Sequence, residues 1–183
     1  MDAIKMITER RSVRNYTDEK VSRELLSEIV ELCRYAPSWA NTQVARYTIV
    51  DDKDKIMQIH QKGVNGFSYN MGTLEKAQGV VVLSYVLGKS GKYGEDYATN
   101  KSSQWEMFDA GIACQTFSLA AHAKGLGTCI FGIIDDAAIA EIVDLPEGET
   151  VACIITYGFE KGEHPSAPKR KELEQIMRFV GEK

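Results

Sequence analysis

The sequence lacks any apolar run long enough to cross a membrane. Stretches such as residues 79–84 and 151–156 are much shorter than the ~20 residues that a spanning helix needs. The first residues, MDAIKM, contain neither a long apolar region nor a small-residue cleavage site, so we expect no secretory signal and a cytoplasmic location. A basic excess is also missing, because 22 Lys and Arg stand against 26 Asp and Glu, for a net charge of −4. This balance argues against a general nucleic-acid binder and against a protein of anionic membrane surfaces.

The signatures of several enzyme classes are missing as well. The sequence contains no P-loop and no Gly-x-Ser-x-Gly turn, and Gly125 and Gly127 follow a helical pattern without the third glycine of a dinucleotide fingerprint. The three histidines are scattered, so we expect no metal site. The four cysteines form no Cys-x-x-Cys pair and lie in apolar sequence, which is typical of buried thiols in a reducing compartment. A hydrolytic triad or a zinc centre is therefore poorly supported.

The hydrophobic pattern predicts one α+β domain over residues 1–183. A chain of 183 residues, 44% of them hydrophobic, can bury a self-sufficient core. Apolar spacing predicts helices at 2–10, 22–36, 51–63, 106–124 and 135–143, and strands at 45–50, 79–87, 128–134 and 150–159. Residues 63–73 are predicted to be a loop, 88–104 a variable surface segment and 160–183 a C-terminal extension. Because helices and strands do not alternate strictly, an α+β layer architecture is favoured over a doubly wound sheet.

The predicted helix 106–124 is apolar on almost every side. Small and apolar residues such as Ala110, Ala113 and Ala120 surround it. A helix of this kind must be covered on most sides. The pattern therefore predicts a subunit interface, and a central core helix is the alternative.

Two cationic clusters stand near opposite ends of the chain. Arg10, Arg11, Ser12 and Arg14 form the first, and residues 169–171 (Lys-Arg-Lys) form the second. A phosphate monoester suits guanidinium groups and a serine hydroxyl, because it carries nearly two negative charges and three acceptor oxygens. The clusters are therefore candidates for one phosphate site. Alternatively, the arginines complement the dipole of the first helix and the basic tail is merely solvated.

A second polar group follows the predicted helix 22–36. Asn41 and Gln43 carry amides that donate and accept, so they can read the edge of a heteroaromatic ring, and Trp39 can stack on such a ring. The alternative is an ordinary polar turn after Pro37.

Taken together, these motifs resemble the nitroreductase family of FMN-dependent oxidoreductases. The resemblance rests on Arg-Arg-Ser-Val-Arg at 10–14, on Ala-Pro-Ser-x-x-Asn-Thr-Gln at 36–43 and on Pro-Lys-Arg-Lys-x-Leu-Glu at 168–174. The long small-residue helix followed by Gly-Leu-Gly-Thr at 125–128 also fits. The motifs occur in the family's order and span nearly the whole chain.

The resemblance implies a fold, an assembly and a cofactor. The fold would be an α/β sandwich with a central, mostly antiparallel sheet flanked by helices, in an intertwined homodimer that binds FMN at its interface. NADH or NADPH would supply a hydride, and a nitroaromatic, a quinone or a similar small acceptor would receive it in a ping-pong cycle. The flavin carries such chemistry, so no catalytic side chain is expected. The alternatives are dehalogenation or enoate reduction on the same fold, or a helical interaction protein that binds an acidic partner.

The resemblance also assigns residues to the cofactor. The phosphate and ribityl chain would be held by the residues of the two cationic clusters, namely Arg10, Arg11, Ser12, Arg14, Lys169 and Arg170. The ring edge would be read, in part from the partner subunit, by Pro37, Ser38, Trp39, Asn41, Gln43, Asn70, Phe131 and Gly132. Phe131 stands where some members place an acidic residue, and Trp39 stands where a small residue is common.

Overall fold

The computed structural model describes residues 2–64 and 66–181. Its helices are α1 (Ala3–Glu9), α2 (Arg23–Cys33), α3 (Lys53–Gln58), α4 (Ser68–Leu74), α5 (Gln104–Ala123), α6 (Asp136–Ile142) and α7 (Leu173–Ile176). Its strands are β1 (Ala45–Val50), β2 (Gly79–Val86), β3 (Lys92–Tyr93), β4 (Asp96–Tyr97), β5 (Gly127–Phe131) and β6 (Glu149–Gly158). A 3-10 turn at Trp39–Asn41 and a π-helical turn at Ile59–Gly63 lie between these elements.

The main sheet has four antiparallel strands in the order β1-β2-β6-β5. Its inner strands β2 and β6 consist largely of apolar and β-branched residues, and they are buried along most of their length. Such side chains suit a strand that is covered on both faces. Strands β3 and β4 form a separate small hairpin. The predicted α+β class with an antiparallel sheet is confirmed.

Each face of the sheet carries its own core. Val81, Leu83 and Ile155 lie on one face and pack with the apolar sides of α2 and α5. Val80 and Val82 lie on the other face and pack with residues of the π-helical turn and α6. Successive side chains of a strand point to opposite faces, so the apolar run of β2 supplies both cores at once. The predicted helix-flanked sandwich is therefore confirmed.

Side-chain caps explain where several helices begin. The side chain of Ser22 accepts a hydrogen bond from the backbone N–H of Leu25 at 3.1 Å, as predicted for α2. Asp2, Asp52 and Asp135 cap α1, α3 and α6 in the same way. No helix of the described chain combines the length and the apolar character that a membrane-spanning segment needs.

Several predicted boundaries were wrong. Helix α2 ends at Cys33, not Ala36, and Pro37 disfavours helical backbone at Ala36, the residue before it. The predicted loop 63–73 was wrong from Ser68 onward, where α4 forms and buries Asn70, Thr73 and Leu74. The predicted strand 128–134 ends at Phe131. The segment 88–104 contains the β3–β4 hairpin.

Candidate functional site

The first arginine cluster lies in an extended segment that runs beside β5. Helix α1 ends at Glu9 with Arg10 as its C-cap, and the backbone N–H of Val13 then donates to the carbonyl of Thr128 at 2.9 Å. Val13 packs directly on Gly127, where an added Cβ would lie 2.7 Å from the Val13 side chain. Side chains alternate along extended backbone, so Ser12 and Arg14 flank the buried Val13 and face away from it. Close packing of Val13 thus fixes the position of its polar neighbours.

The guanidinium groups of this segment retain unused hydrogen-bond donors. Arg14 donates through Nη1 to the Ser12 carbonyl at 3.0 Å, and its guanidinium carbon lies 5.2 Å from the centre of the Tyr69 ring. Arg11 donates to the carbonyls of Thr8 and Arg10. The Nε atoms of Arg11 and Arg14 are buried and have no acceptor among the described residues. These donors are therefore available to an anion.

The three arginines of the cluster also form no ion pair with a carboxylate of the described residues. The ion pairs among residues 2–64 and 66–181 do not include Arg10, Arg11 or Arg14. The donors and the charge together fit the phosphate of a nucleotide-like ligand.

The loop 37–43 has strained backbone. Ala40, Asn41 and Gln43 all have positive φ values, of 41°, 56° and 50°. Such values cost a non-glycine residue free energy and persist only where the surroundings impose them. Inside the loop, the Ser38 hydroxyl accepts from the backbone N–H of Gln43 at 2.9 Å. The side chains of Asn41 and Gln43 are exposed and make no hydrogen bond to the described residues, so their amides are free to bind a ligand.

This loop forms one wall of a cavity of about 550 Å³. Its other walls come from the end of α2, from β1 and from α5, including Tyr47, Asp109 and Ala113. The volume lies within the range of ordinary small-molecule sites. Of the predicted ring-edge residues, Pro37, Ser38 and Gln43 line this cavity.

The remaining predicted residues are distributed differently. Asn70 is buried on α4, next to the Tyr69 ring that contacts Arg14. The Phe131 side chain packs in the core beneath α6, so it is directed away from solvent and can offer a ligand only its backbone. Gly132 is exposed, with open space where a Cβ would be. Lys169 and Arg170 lie in the exposed tail.

The two polar groups lie at opposite ends of α5. The arginine cluster lies beside His122, near the end of the helix, whereas Asp109 binds the 37–43 loop near its beginning. Thirteen residues of α-helix span roughly 20 Å. A single chain therefore presents these groups as two separate surfaces.

Sequence reasoning missed three interactions around the site. Tyr69 contacts Arg14, and Asp109 accepts hydrogen bonds that join distant segments. His164 bonds through one ring nitrogen to the Glu160 carboxylate at 2.8 Å and through the other to the Glu9 carbonyl. An acidic residue within an apolar helix was the available signal for Asp109. The other two contacts left no local pattern.

Histidine protonation is perturbed beside the arginines. The hydrogen bond to Glu160 raises the pKa of His164, and the bond to the Glu9 carbonyl adds to this effect. Burial lowers the pKa of His122, with a smaller effect from His164, whose ring centre lies 6.2 Å away. Within the described residues, no group of three or more His, Cys, Asp or Glu side chains is placed to hold a metal ion.

Comparisons with known proteins agree on one family. The model of the nitroreductase family matches residues 7–159. A 4-nitrobenzoate reductase of Nocardioides sp. (strain LMS-CY) is 25% identical over 93% of this chain and 85% of its own length. An FMN reductase [NAD(P)H] of Bacillus subtilis (strain 168) is 30% identical over 80% of this chain, which spans 61% of that relative.

Solved structures share the fold. A nitroreductase family protein from Streptococcus pneumoniae TIGR4 superposes with a TM-score of 0.84 at 16% identity, covering 98% of this chain and all (100%) of its own. A protein described as a nitroreductase in complex with FMN, from Exiguobacterium sibiricum 255-15, gives 0.82 at 19% identity and 98% coverage of both chains. Because the family model spans residues 7–159, most of the sequence, this chain belongs to the nitroreductase family.

Proposed function

We propose that the protein is an FMN-dependent oxidoreductase that takes a hydride from NADH or NADPH and reduces a small acceptor such as a nitroaromatic or a quinone. The names of the relatives support this proposal, because they include an FMN reductase [NAD(P)H] and a 4-nitrobenzoate reductase. A solved neighbour is described in complex with FMN. The observation that carries the proposal is the arginine cluster, in which the buried Nε donors of Arg11 and Arg14 have no acceptor in the part of the chain that the structure describes.

The residues present fit FMN. Arg10, Arg11, Ser12 and Arg14 would hold the phosphate, since the three arginines form no ion pair among the described residues and the Nε donors of Arg11 and Arg14 have no acceptor there. Asn41 and Gln43 would bind the polar edge of the ring through their free amides. When bound, FMN accepts and returns the hydride, while the chain supplies binding and orientation. Donor and acceptor would occupy the same pocket in turn, which gives ping-pong kinetics.

The two polar groups would complete one site only in a homodimer. They lie at opposite ends of α5 in a single chain, so a second copy is needed to bring an arginine cluster and a 37–43 loop to the same ligand. Exposed apolar side chains are available for such an interface. They include Ile4 and Ile7 on α1, Met107 and Phe108 on α5, and Leu173, Ile176, Phe179 and Val180 in the tail. Burial of these side chains would stabilise the dimer, and the exposed tail would carry Lys169 and Arg170 to the partner.

Flavin binding tests the proposed function directly. We expect the purified protein to be yellow, or to quench FMN fluorescence on addition of FMN, and the bound flavin to be bleached anaerobically by NADH or NADPH. Riboflavin, which lacks the phosphate, is the matched control and should bind much more weakly. A protein that takes up no FMN would refute the proposal and favour the interaction-protein alternative.

Assembly is tested separately by light scattering. The chain mass is 20.4 kDa, and we expect about twice that mass in solution. Ile7→Glu places a charge on the exposed apolar face of α1 and should weaken the dimer. Lys5→Glu, on the same helix, is the control for charge alone. A parent protein that is a monomer at micromolar concentration would contradict the homodimer.

A further inference from the structure

A buried carboxylate on α5 joins two segments that lie far apart in the sequence. Asp109 is only 3% exposed, and its Oδ2 atom accepts a hydrogen bond from the backbone N–H of Trp39 at 3.0 Å. The same oxygen accepts a hydrogen bond from the Ser90 hydroxyl. One charged atom thus connects the 37–43 loop with the 88–104 segment.

Trp39 makes a second connection between the same segments. Its indole N–H donates to the Lys92 carbonyl at 2.9 Å, and its ring lies 4.8 Å from that of Trp105. Trp105 in turn donates to the Thr99 hydroxyl at 2.9 Å. The 88–104 segment therefore contacts the 37–43 loop directly, through Lys92 and Trp39, and indirectly, through Ser90 and Asp109.

The hydrogen bond between Asp109 and Trp39 lies directly beside the strained backbone of the 37–43 loop. Three residues just after Trp39 adopt positive φ, a conformation that needs external support. The Trp39 N–H supplies such support, because it donates to the carboxylate of Asp109, which is buried away from water. Hydrogen bonds to charged groups are stronger than neutral ones, and more so in a buried setting.

We propose that Asp109 is a positioning residue that holds the strained 37–43 loop and the 88–104 segment in the arrangement that binds the flavin ring and shapes the acceptor pocket. This inference rests on the proposed function. Asp109 acts through Trp39, and it sets the positions of Asn41 and Gln43. Through Ser90 and Lys92, the 88–104 segment helps to hold Asp109 and Trp39 in place.

Asp109→Asn tests the proposal, because it preserves shape while it removes the charge and one of the acceptor atoms. The chain contains two tryptophans, Trp39 and Trp105, and close indole pairs give a coupled signal in far-ultraviolet circular dichroism. The remaining amide oxygen is a weaker acceptor than a carboxylate, so we expect the variant to weaken this signal and to bind FMN about tenfold more weakly. An Asp109→Asn protein that keeps both the tryptophan signal and the parent's FMN affinity would overturn the proposal, whatever its melting temperature.

Glu106→Gln is the matched control. Glu106 lies one turn earlier on α5, is 2% exposed and accepts from the Gly88 backbone N–H at 2.6 Å, but it makes no hydrogen bond to Trp39. It should keep the tryptophan signal, and equal losses in both variants would show a general effect of buried carboxylates and refute the specific role.

Two further results keep the test decisive. If Asp109→Asn does not fold, Ser90→Ala removes one of the two donors and should weaken the tryptophan signal partially; an unchanged signal would count against the proposal. If the parent takes up no FMN, the proposed function fails. The tryptophan signal of Asp109→Asn then still decides whether Asp109 holds the loop.

Discussion

Arg14→Ala offers a direct test of the phosphate site. In the folded chain, Arg14 makes a hydrogen bond to the Ser12 carbonyl and contacts the Tyr69 ring. A neutral acceptor and an aromatic face are each worth about 1 kcal/mol, so we expect the apoprotein to lose no more than about 2 kcal/mol of its free energy of unfolding. The effect on a bound anion is larger, because hydrogen bonds between charged groups contribute about 1.5–3 kcal/mol.

That free energy corresponds to a loss of roughly 10- to 150-fold in FMN affinity. Titration of the apoprotein with FMN, followed by fluorescence quenching, measures this loss, and it should shrink at high salt because screening weakens the parent more. Arg14→Lys should recover part of the affinity. Arg23→Ala is the control, since Arg23 pairs with Asp51 on the surface. Equal FMN affinity in Arg14→Ala and Arg23→Ala would refute the assignment of the phosphate to this cluster.

Three other substitutions test the frame around the site. Gly127→Ala should destabilise the protein and weaken FMN binding, because the new Cβ would lie 2.7 Å from the Val13 side chain and displace the arginine segment. Gly125→Ala is the control: Gly125 has a positive φ and open space around it, so this substitution should lower stability without weakening FMN binding. Phe117→Ala should lower the free energy of unfolding by about 3–5 kcal/mol in urea titrations, because Phe117 is fully buried against α2 and the sheet, and a loss below about 1 kcal/mol would contradict this packing. Because the hydrogen bond to Glu160 raises the pKa of His164, the stabilising contribution of protonated His164 is present at low pH and is lost as the pH rises through the raised pKa. Glu160→Gln should flatten this fall in stability above the ordinary pKa of histidine, and an unchanged profile would refute the link.

The sequence predicted best where one local rule dominated. The apolar run of β2 placed that strand within a residue of its true end, and Ser22 correctly predicted the start of α2. The family motifs correctly indicated the nitroreductase fold. Helix α4 was missed because its sequence, SYNMGTL, has no amphipathic period and includes small polar residues. Its helical state comes from burial of Leu74 and Asn70 against the rest of the chain, which no local pattern records.

The interactions of Asp109 could not be predicted, because they depend on long-range geometry. Its partners Trp39 and Ser90 lie 70 and 19 residues away, and a carboxylate has no preferred partner that a sequence reveals. Likewise, positive φ at Ala40 is a product of tertiary support and contradicts the preference of alanine. The residues proposed to bind the cofactor could be named from the sequence, whereas the residues that hold them in place could not.

The residues of α5 both fill the core and hold neighbouring loops in place. Its apolar residues fill the core against α2 and the sheet, and this explains why it is apolar on more than one side. Its two buried carboxylates, Glu106 and Asp109, are costly to desolvate and are retained near the helix start, where each accepts hydrogen bonds from a loop. The opposite end packs near the arginine cluster through His122. The same helix supports the loop at one end and lies beside the cationic segment at the other, and its contact residues Asp109 and His122 are roughly 20 Å apart along the helix axis. In the proposed function one FMN uses both surfaces across two copies, so weakening of the proposed dimer and loss of FMN should occur together.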